Sequence, residues 1–501
     1  IVSEKIPELV NIVDQTLAKR HEQKVSVQKF WLNLPSFHHI NLSQVHDWVK
    51  TLVASNIKEL ILNVDGIVNN FNSLTEEFFA AEKLNVLDIQ GFNLELPLEQ
   101  GIKFPYLQKV SLSDTHFDEH FVQALCASCS ALEDLRLASC QGLGSLQIAR
   151  NLLKLKTVLL CCLAELTMVD IVAPNLENLY IESCRWMLQV VKITCGKTLK
   201  YLCLVNLFVT DGWLKDLLCN QPNLEEFHLR GCLKLQKVKI SSDRLKYLSL
   251  SRCLDLIDIE LHTPNLTSFT YECSVKLPTF KLMKASVLLE LVLEFCVGGD
   301  KFDSHWYCML MKFLGNFKQS KSINLQCLFP RGIVIPKDMR KNSDPPLFGT
   351  IATLHIEYGF LVNCSLDIVD SFLWISPQLN TLTFVRDSDL SCTLKFIYED
   401  ASAEDEKTFR SHKLKEVEME NFTCCPNFFE NEMILMECAC DYCTSKELHL
   451  LVNDDEEAIE DIEKLLLVIM LFGALKEVEL MLEGSVEVSI PPVPFSFSCS
   501  V

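Results

Sequence analysis

The sequence predicts an α/β solenoid, a horseshoe with a parallel sheet on its concave side and mixed helix and strand on its convex side. Three observations lead there. One short phrase returns four times, as LEEFHLRGC from Leu224, LKYLSLSRC from Leu245, LTSFTY from Leu266 and LLELVLEFC from Leu288. Its starts lie 21, 21 and 22 residues apart. No copy is long enough to bury its own apolar face, so neighbours must stack before any is stable.

A core of L-x-x-L-x-L-x-x-N/C recurring at about 20 to 29 residues is the signature of a leucine-rich repeat. In order, Ile6, Leu9, Val10, Val13 and Leu17 share one face of a helix over residues 3–19. Val27–Leu32 (VQKFWL) is the first copy of the phrase, and Ser43 opens a helix burying Val45, Trp48, Val49, Leu52 and Val53. Further copies start at Ile57, Leu84, Leu107, Leu132, Leu155, Leu176 and Leu199, which makes twelve from Val27 to Leu288.

The gap lengths carry information. Those starting at Val27, Ile57, Leu107 and Leu199 are the longest, at 30, 27, 25 and 25 residues, and each holds a helical pattern. Among these, Ser73 and Glu76 have the spacing of a capping box. Shorter gaps hold a second L-x-x-L-x-L instead, from Leu143, Leu188, Leu235, Leu256 and Leu277. A strand covers ~3.3 Å per residue against 1.5 Å for a helix, so these coils should return by a strand. After residue 296 the rhythm loosens. A helix is expected from Trp306 to Phe317, a strand over 322–327 and an aperiodic loop over 328–348. Copies of the phrase start at Ile351, Leu379, Leu414 and Leu475, with a partial one at Leu448, and helical patterns fill 366–375, 427–440 and 456–471. The reading is a cap at 1–26, a solenoid at 27–296, longer α/β coils at 297–484 and a tail at 485–501.

Composition excludes several classes. A net charge of −20 without a basic stripe argues against nucleic acid as a partner. The longest apolar run, Leu465–Leu475, has eleven residues against the ~20 a bilayer needs, so no membrane partner is expected. The first 30 residues carry charge at helical spacing rather than a secretory signal, and the 23 cysteines then read as reduced thiols of a cytoplasmic or nuclear protein. Asn41, Asn265, Asn363 and Asn421 stand in glycosylation tripeptides, which carry no meaning without secretion. Beginning with isoleucine, the chain reads as a piece of a longer product.

Cys140, Cys184, Cys232, Cys253 and Cys296 fall at one repeat position and read as an inward ladder. Cys438, Cys440 and Cys443, with Cys424 and Cys425 upstream, could be drawn as a zinc site. They lack paired C-x-x-C knuckles, so buried thiols are preferred and no metal is expected. Cys126 and Cys129 lack the βαβ setting of a redox pair. No nucleophile–base grouping, Walker loop, H-E-x-x-H or dinucleotide fingerprint is present, so neither an enzyme nor a cofactor is expected.

What remains is surface. Residues between the leucines point out across the concave face, because side chains alternate along a strand. Arg136, Tyr180, Cys203, His228, Ser249 and Thr270 form one column, with Asp134, Asn178, Tyr201, Glu226 and Tyr247 beside it. With Arg230 these are the candidate binding residues, since tyrosine and arginine are enriched in binding hot spots.

The most specific stretches are Ile12–Leu17 (IVDQTL), Val27–Leu32, Val45–Lys50 (VHDWVK), Asn56–Leu62 (NIKELIL), Phe313–Cys327 (FLGNFKQSKSINLQC) and His412–Glu420 (HKLKEVEME). In them the sequence resembles the plant F-box proteins that pair leucine-rich repeats with a C-terminal FBD domain, the FBD-like part covering about 405–484. The resemblance implies the substrate-binding part of a Skp–cullin–F-box ubiquitin ligase, acting in ubiquitination by capturing a target protein. Members carry an F-box ahead of the repeats. Residues 6–17 align with the helix that follows it, so a Skp-type adaptor is a partner only if an F-box is encoded upstream. The alternative is a leucine-rich-repeat interaction scaffold with no ligase role.

Overall fold

The computed structural model describes residues 6–23, 27–34, 42–64, 72–96, 101–273, 276–282, 288–295, 302–317, 320, 322–327, 332–341, 353–358, 366–376, 379–386, 390–398, 414–420, 448–451 and 479–480. The chain divides into two compact units, Ile1–Asn265 and Leu266–Val501.

In the first unit each phrase becomes a strand of one parallel main sheet. The strands are Lys29–Leu34, Glu59–Val64, Val86–Gln90, Lys109–Ser113, Asp134–Ala138, Thr157–Leu163, Asn178–Ser183, Tyr201–Val205, Glu226–Arg230 and Tyr247–Ser251, each paired with the next. Register follows the phrase. Leu135, Val158, Leu179, Leu202, Phe227 and Leu248 stand in one row, and Leu137, Leu160, Ile181, Leu204, Leu229 and Leu250 in the next. Both rows are buried, so the solenoid's spine is these stacked apolar side chains.

The return side follows coil length. The long coils return through helices at Leu42–Ala54, Glu119–Ser128 and Asp211–Cys219 and a 3-10 turn at Glu76–Ala80. The short coils return through strands. Ser145–Ile148, Met168–Ala173 and Val190–Cys195 form one small parallel sheet, and Lys237–Ser241 pairs with Asp258–His262. Met168–Ala173 is absent from the sequence expectation, although Leu166, Val169 and Ile171 fit the phrase. The expected capping box does not form. Ser73 pairs within a short strand, Asn72–Ser73 against Phe92–Asn93, and Thr75 takes the cap position without a side-chain cap bond.

Where a helical coil meets a strand coil, an acidic side chain completes the strand edge. Inside the small sheets, Gln189 N–H donates to Thr167 O, and Ile257 N–H to Gln236 O, each a carbonyl of the preceding coil. The first strand of each small sheet has no such neighbour. There Glu119 Oε1 accepts from Gly144 N and Ser145 N, both at 3.0 Å, and Asp211 Oδ1 accepts from Gln236 N at 2.9 Å and Lys237 N at 3.2 Å. Each acid is the first residue of its helix, where the helix dipole also favours it. The far edge of the first small sheet is met by Trp213, whose indole N–H donates to Val191 O at 3.0 Å. Edge strands are thus covered rather than left to pair with another chain.

A left-handed corner ends most main-sheet strands. It falls at the seventh residue after the first leucine: Gly91, Asp114, Ser139, Cys162, Asn206, Gly231 and Arg252 all have φ between 45° and 83°. The next residue carries the cysteine ladder. Cys140 Sγ donates to Ala138 O at 3.3 Å and Leu112 O at 3.4 Å, Cys232 Sγ to Arg230 O and Leu204 O at 3.7 Å, and Cys253 Sγ to Ser251 O at 3.5 Å. Cysteine suits the corner because a small thiol is buried there while satisfying strand-end carbonyls. Cys184 departs from the ladder. Its strand runs on to Ser183, which pairs with Leu163 past the skipped Cys162, the left-handed φ falls at Arg185 and Trp186, and buried Ser183 takes the inward place. Cys296 and the cysteines at 424–443 lie outside the described residues, as do the helical patterns at 427–440 and 456–471 and the tail.

Two ladders join successive coils. In each Pro-Asn-Leu turn the asparagine amide donates to a carbonyl of the coil before: Asn175 to Leu153 O at 2.7 Å, Asn223 to Lys197 O and Asn265 to Asp243 O, both at 2.6 Å. The residue after the first leucine alternates in charge, as Glu133, Lys156, Glu177, Lys200, Glu225 and Lys246, with ion pairs at 2.8, 2.7 and 2.7 Å. These pairs are exposed, so they favour register more than they add stability. Gly142 is fixed by its surroundings. Its φ is +85°, and a Cβ there would lie 2.7 Å from Phe117 O. Gly142→Ala is expected to destabilise the unit by about 1–3 kcal/mol, read as a lower urea midpoint with unchanged slope.

The second unit continues the parallel pattern through Ser268–Cys273, Glu290–Phe295, Ser322–Cys327, Thr353–Tyr358 and Thr381–Arg386. Helix Ser304–Leu314, capped by Asp303 and extended by the turn Gly315–Phe317, sets Phe313 and Phe317 against Phe280, with ring centroids 5.7 and 4.9 Å away. Leu366–Ile375 is helical as expected, and a short helix, Lys337–Lys341, stands inside the expected loop. Within 297–484, read as longer α/β coils, strand direction then reverses. Leu390–Tyr398 turns back antiparallel on Thr381–Arg386, and Leu414–Glu420 and Leu448–Leu451 follow antiparallel. Strand alternation is legible locally, but direction depends on the connection, and a three-residue link between 386 and 390 suits only a hairpin. Among the described residues no helix is long and apolar enough to cross a membrane.

Candidate functional site

The solvent-facing side of the first unit's main sheet carries the candidate residues, and strand register brings them together as columns. Asp134, Thr157, Asn178, Tyr201, Glu226 and Tyr247 are successive partners, as are Arg136, Leu159, Tyr180, Cys203, His228 and Ser249. A third column holds Cys161, Glu182, Val205, Arg230 and Ser251. Thr270 belongs to the second unit, on Ser268–Cys273. Neighbouring side chains in a column are ~4.8 Å apart, the strand spacing, so each column is a continuous surface.

The face is pre-ordered by its own polar contacts. Asp134 holds Arg136 through Nε at 3.0 Å and Nη2 at 3.1 Å, yet the arginine side chain stays 51% exposed. Glu226 Oε1 meets His228 Nε2 at 2.7 Å, and the His228 ring lies 5.5 Å from Tyr201. Asn178 donates to Thr157 Oγ1 at 3.2 Å. Tyr180 donates its hydroxyl to Glu182 Oε2 at 2.6 Å, and Cys161 Sγ lies 3.1 Å from the same oxygen. Burial, reinforced by the Glu182 carboxylate, raises both the Tyr180 phenol and the Cys161 thiol above their ordinary values. Burial likewise raises Tyr201 and takes Cys203 to about 11. Both tyrosines therefore stay protonated as donors. Tyr247 is 48% exposed, and Ser249 and Arg230 also reach the surface.

Two features escaped the sequence reading. The second column extends upstream through Ser111, Asp88 and Ile61 to Trp31, which is 67% exposed. Burial raises the Asp88 carboxyl, with a Ser111 hydrogen bond opposing it. Trp31 occupies the outward position of the first phrase, so its place was legible, but a tryptophan beside Phe30 and Leu32 reads as core. The other feature is the grouping of Cys161, Cys162 and Glu182, whose donor atoms lie within 4.8 Å of one another. It joins adjacent coils and shows no motif along the chain. The Cys126 and Cys129 thiols, by contrast, are buried and pushed up to about 11 and about 12, which disfavours the thiolate that redox chemistry needs.

Family comparison agrees with the architecture. The leucine-rich-repeat model of FBD-associated F-box protein At5g56370 matches residues 45–202, and the leucine-rich-repeat domain model of At1g61320/AtMIF1 matches residues 177–297. No curated protein matches the chain.

Proposed function

Residues 45–297 belong to the leucine-rich-repeat domains of the plant F-box family, and from that premise we propose that the main-sheet face captures a target protein for a Skp–cullin–F-box ubiquitin ligase. One observation carries the recognition role. Tyrosine, arginine and histidine side chains stand in register on one sheet, with Arg136, Tyr180 and His228 held by the carboxylates of Asp134, Glu182 and Glu226 while Arg136 and Tyr247 remain open to solvent. Such a face loses little side-chain freedom on binding. Aromatic and arginine anchors are the residues on which interfaces concentrate their energy. Capture of a protein in this way requires no chemistry in the chain.

Two measurements test the two halves of the reading. Full-length product should be retained by a Skp-type adaptor; no retention would remove the ligase role and leave an interaction scaffold. Arg136→Glu, Tyr201→Ala and Tyr247→Ala should each weaken target capture by about 30-fold, for about 2 kcal/mol per hot spot. Circular dichroism and urea midpoints should stay unchanged. Undiminished capture by the triple variant would exclude this face.

A further inference from the structure

We propose that Cys161, Cys162 and Glu182 form a site for a zinc-class divalent cation on the main-sheet face. Both cysteines lie in the strand Thr157–Leu163, and the left-handed φ of +53° at Cys162, where the pairing register skips a residue, turns its side chain back beside Cys161. The two sulfurs are then 3.7 Å apart. Glu182 is the register partner of Cys161 on the adjacent strand, and its Oε2 is 3.1 Å from that sulfur.

These separations suit one ion. With Zn–S near 2.3 Å and Zn–O near 2.0 Å, a tetrahedron has edges of about 3.8 Å between sulfurs and about 3.5 Å from sulfur to oxygen. The sulfurs already stand at the first distance, Glu182 Oε2 is within a few tenths of an ångström of the second from Cys161, and a Glu182 oxygen lies within 4.8 Å of the Cys162 sulfur. Tyr180 donates to Glu182 Oε2 at 2.6 Å, the kind of supporting bond that orients a ligating carboxylate. Among the described residues no basic side chain forms an ion pair with Glu182, so no built-in cation balances the cluster. Two thiolates and one carboxylate select a borderline-soft ion over calcium or magnesium, and three protein ligands leave a fourth position for water. The three residues are half-exposed, so an ion can enter.

The test uses the reduced full-length chain, stripped of metal with chelator and titrated with Co²⁺ and then Zn²⁺. One equivalent of Co²⁺ should give a thiolate charge-transfer band and the intense visible bands of a tetrahedral ion, both bleached by Zn²⁺. Cys161→Ser with Cys162→Ser should abolish the bands, and Glu182→Gln should weaken Co²⁺ binding by at least about tenfold. Cys219→Ser, at an exposed thiol elsewhere, should leave them intact. Circular dichroism of every variant controls for folding. Bands that survive the double serine variant, bands lost equally in Cys219→Ser, or no bands in the unaltered chain would each overturn the site.

Discussion

Truncating Phe227 to alanine is expected to cost the first unit about 3–5 kcal/mol, the range for a fully buried phenylalanine. Phe227 has no exposed surface and stands in register between Leu202 and Leu248. Neither neighbour can close the gap, because the main-chain hydrogen bonds of both adjacent strands fix their spacing. Phe227→Leu should cost less than half as much. A solenoid couples only nearest neighbours, so the loss should be local at first. Hydrogen exchange should accelerate in Tyr201–Val205 and Tyr247–Ser251 before it does in Lys29–Leu34. A urea midpoint that barely moves would mean that this row is not the spine.

Glu119→Ala is expected to cost about 2–4 kcal/mol, although alanine is the better helix former. The change leaves Gly144 N–H and Ser145 N–H without their shared acceptor at the half-buried edge of the small sheet. Glu119→Gln keeps an oxygen but not its charge and should recover roughly half of the loss, since bonds to charged acceptors are about twice as strong. Exchange at the amides of 144 and 145 should rise in the alanine variant while Met168–Ala173 stays protected. Uniform loss of protection would show that the carboxylate serves the helix rather than the strand edge.

These two residues mark how far the sequence can be read. Phe227 was legible because the phrase repeats, and a repeat converts spacing along the chain into neighbourhood in space. The outward columns followed from the same periodicity, and strand register aligns them from Arg136 to Ser249. Glu119 was not legible. A glutamate opening a helix is ordinary, and its second role exists only because the next coil returns by a strand. Cys161, Cys162 and Glu182 were missed for a related reason: their proximity is set across strands, and Leu155–Leu160 carries no cysteine at the ladder position to draw attention to its corner. In the second unit the alternation of Leu390–Tyr398 marks a strand, but only the short connection before it reveals the reversal.

The alternating glutamates and lysines along the coil edge give the array a parity. Excise one coil, such as that of Lys156, and Glu133 would face Glu177; excise two and a glutamate meets a lysine again. Each exposed pair is worth less than about 1 kcal/mol, so the rule biases rather than forbids. Added over several boundaries, it still sorts insertions and deletions by whether their number is even. A chain of this kind should therefore lengthen or shorten most readily by two coils at a time.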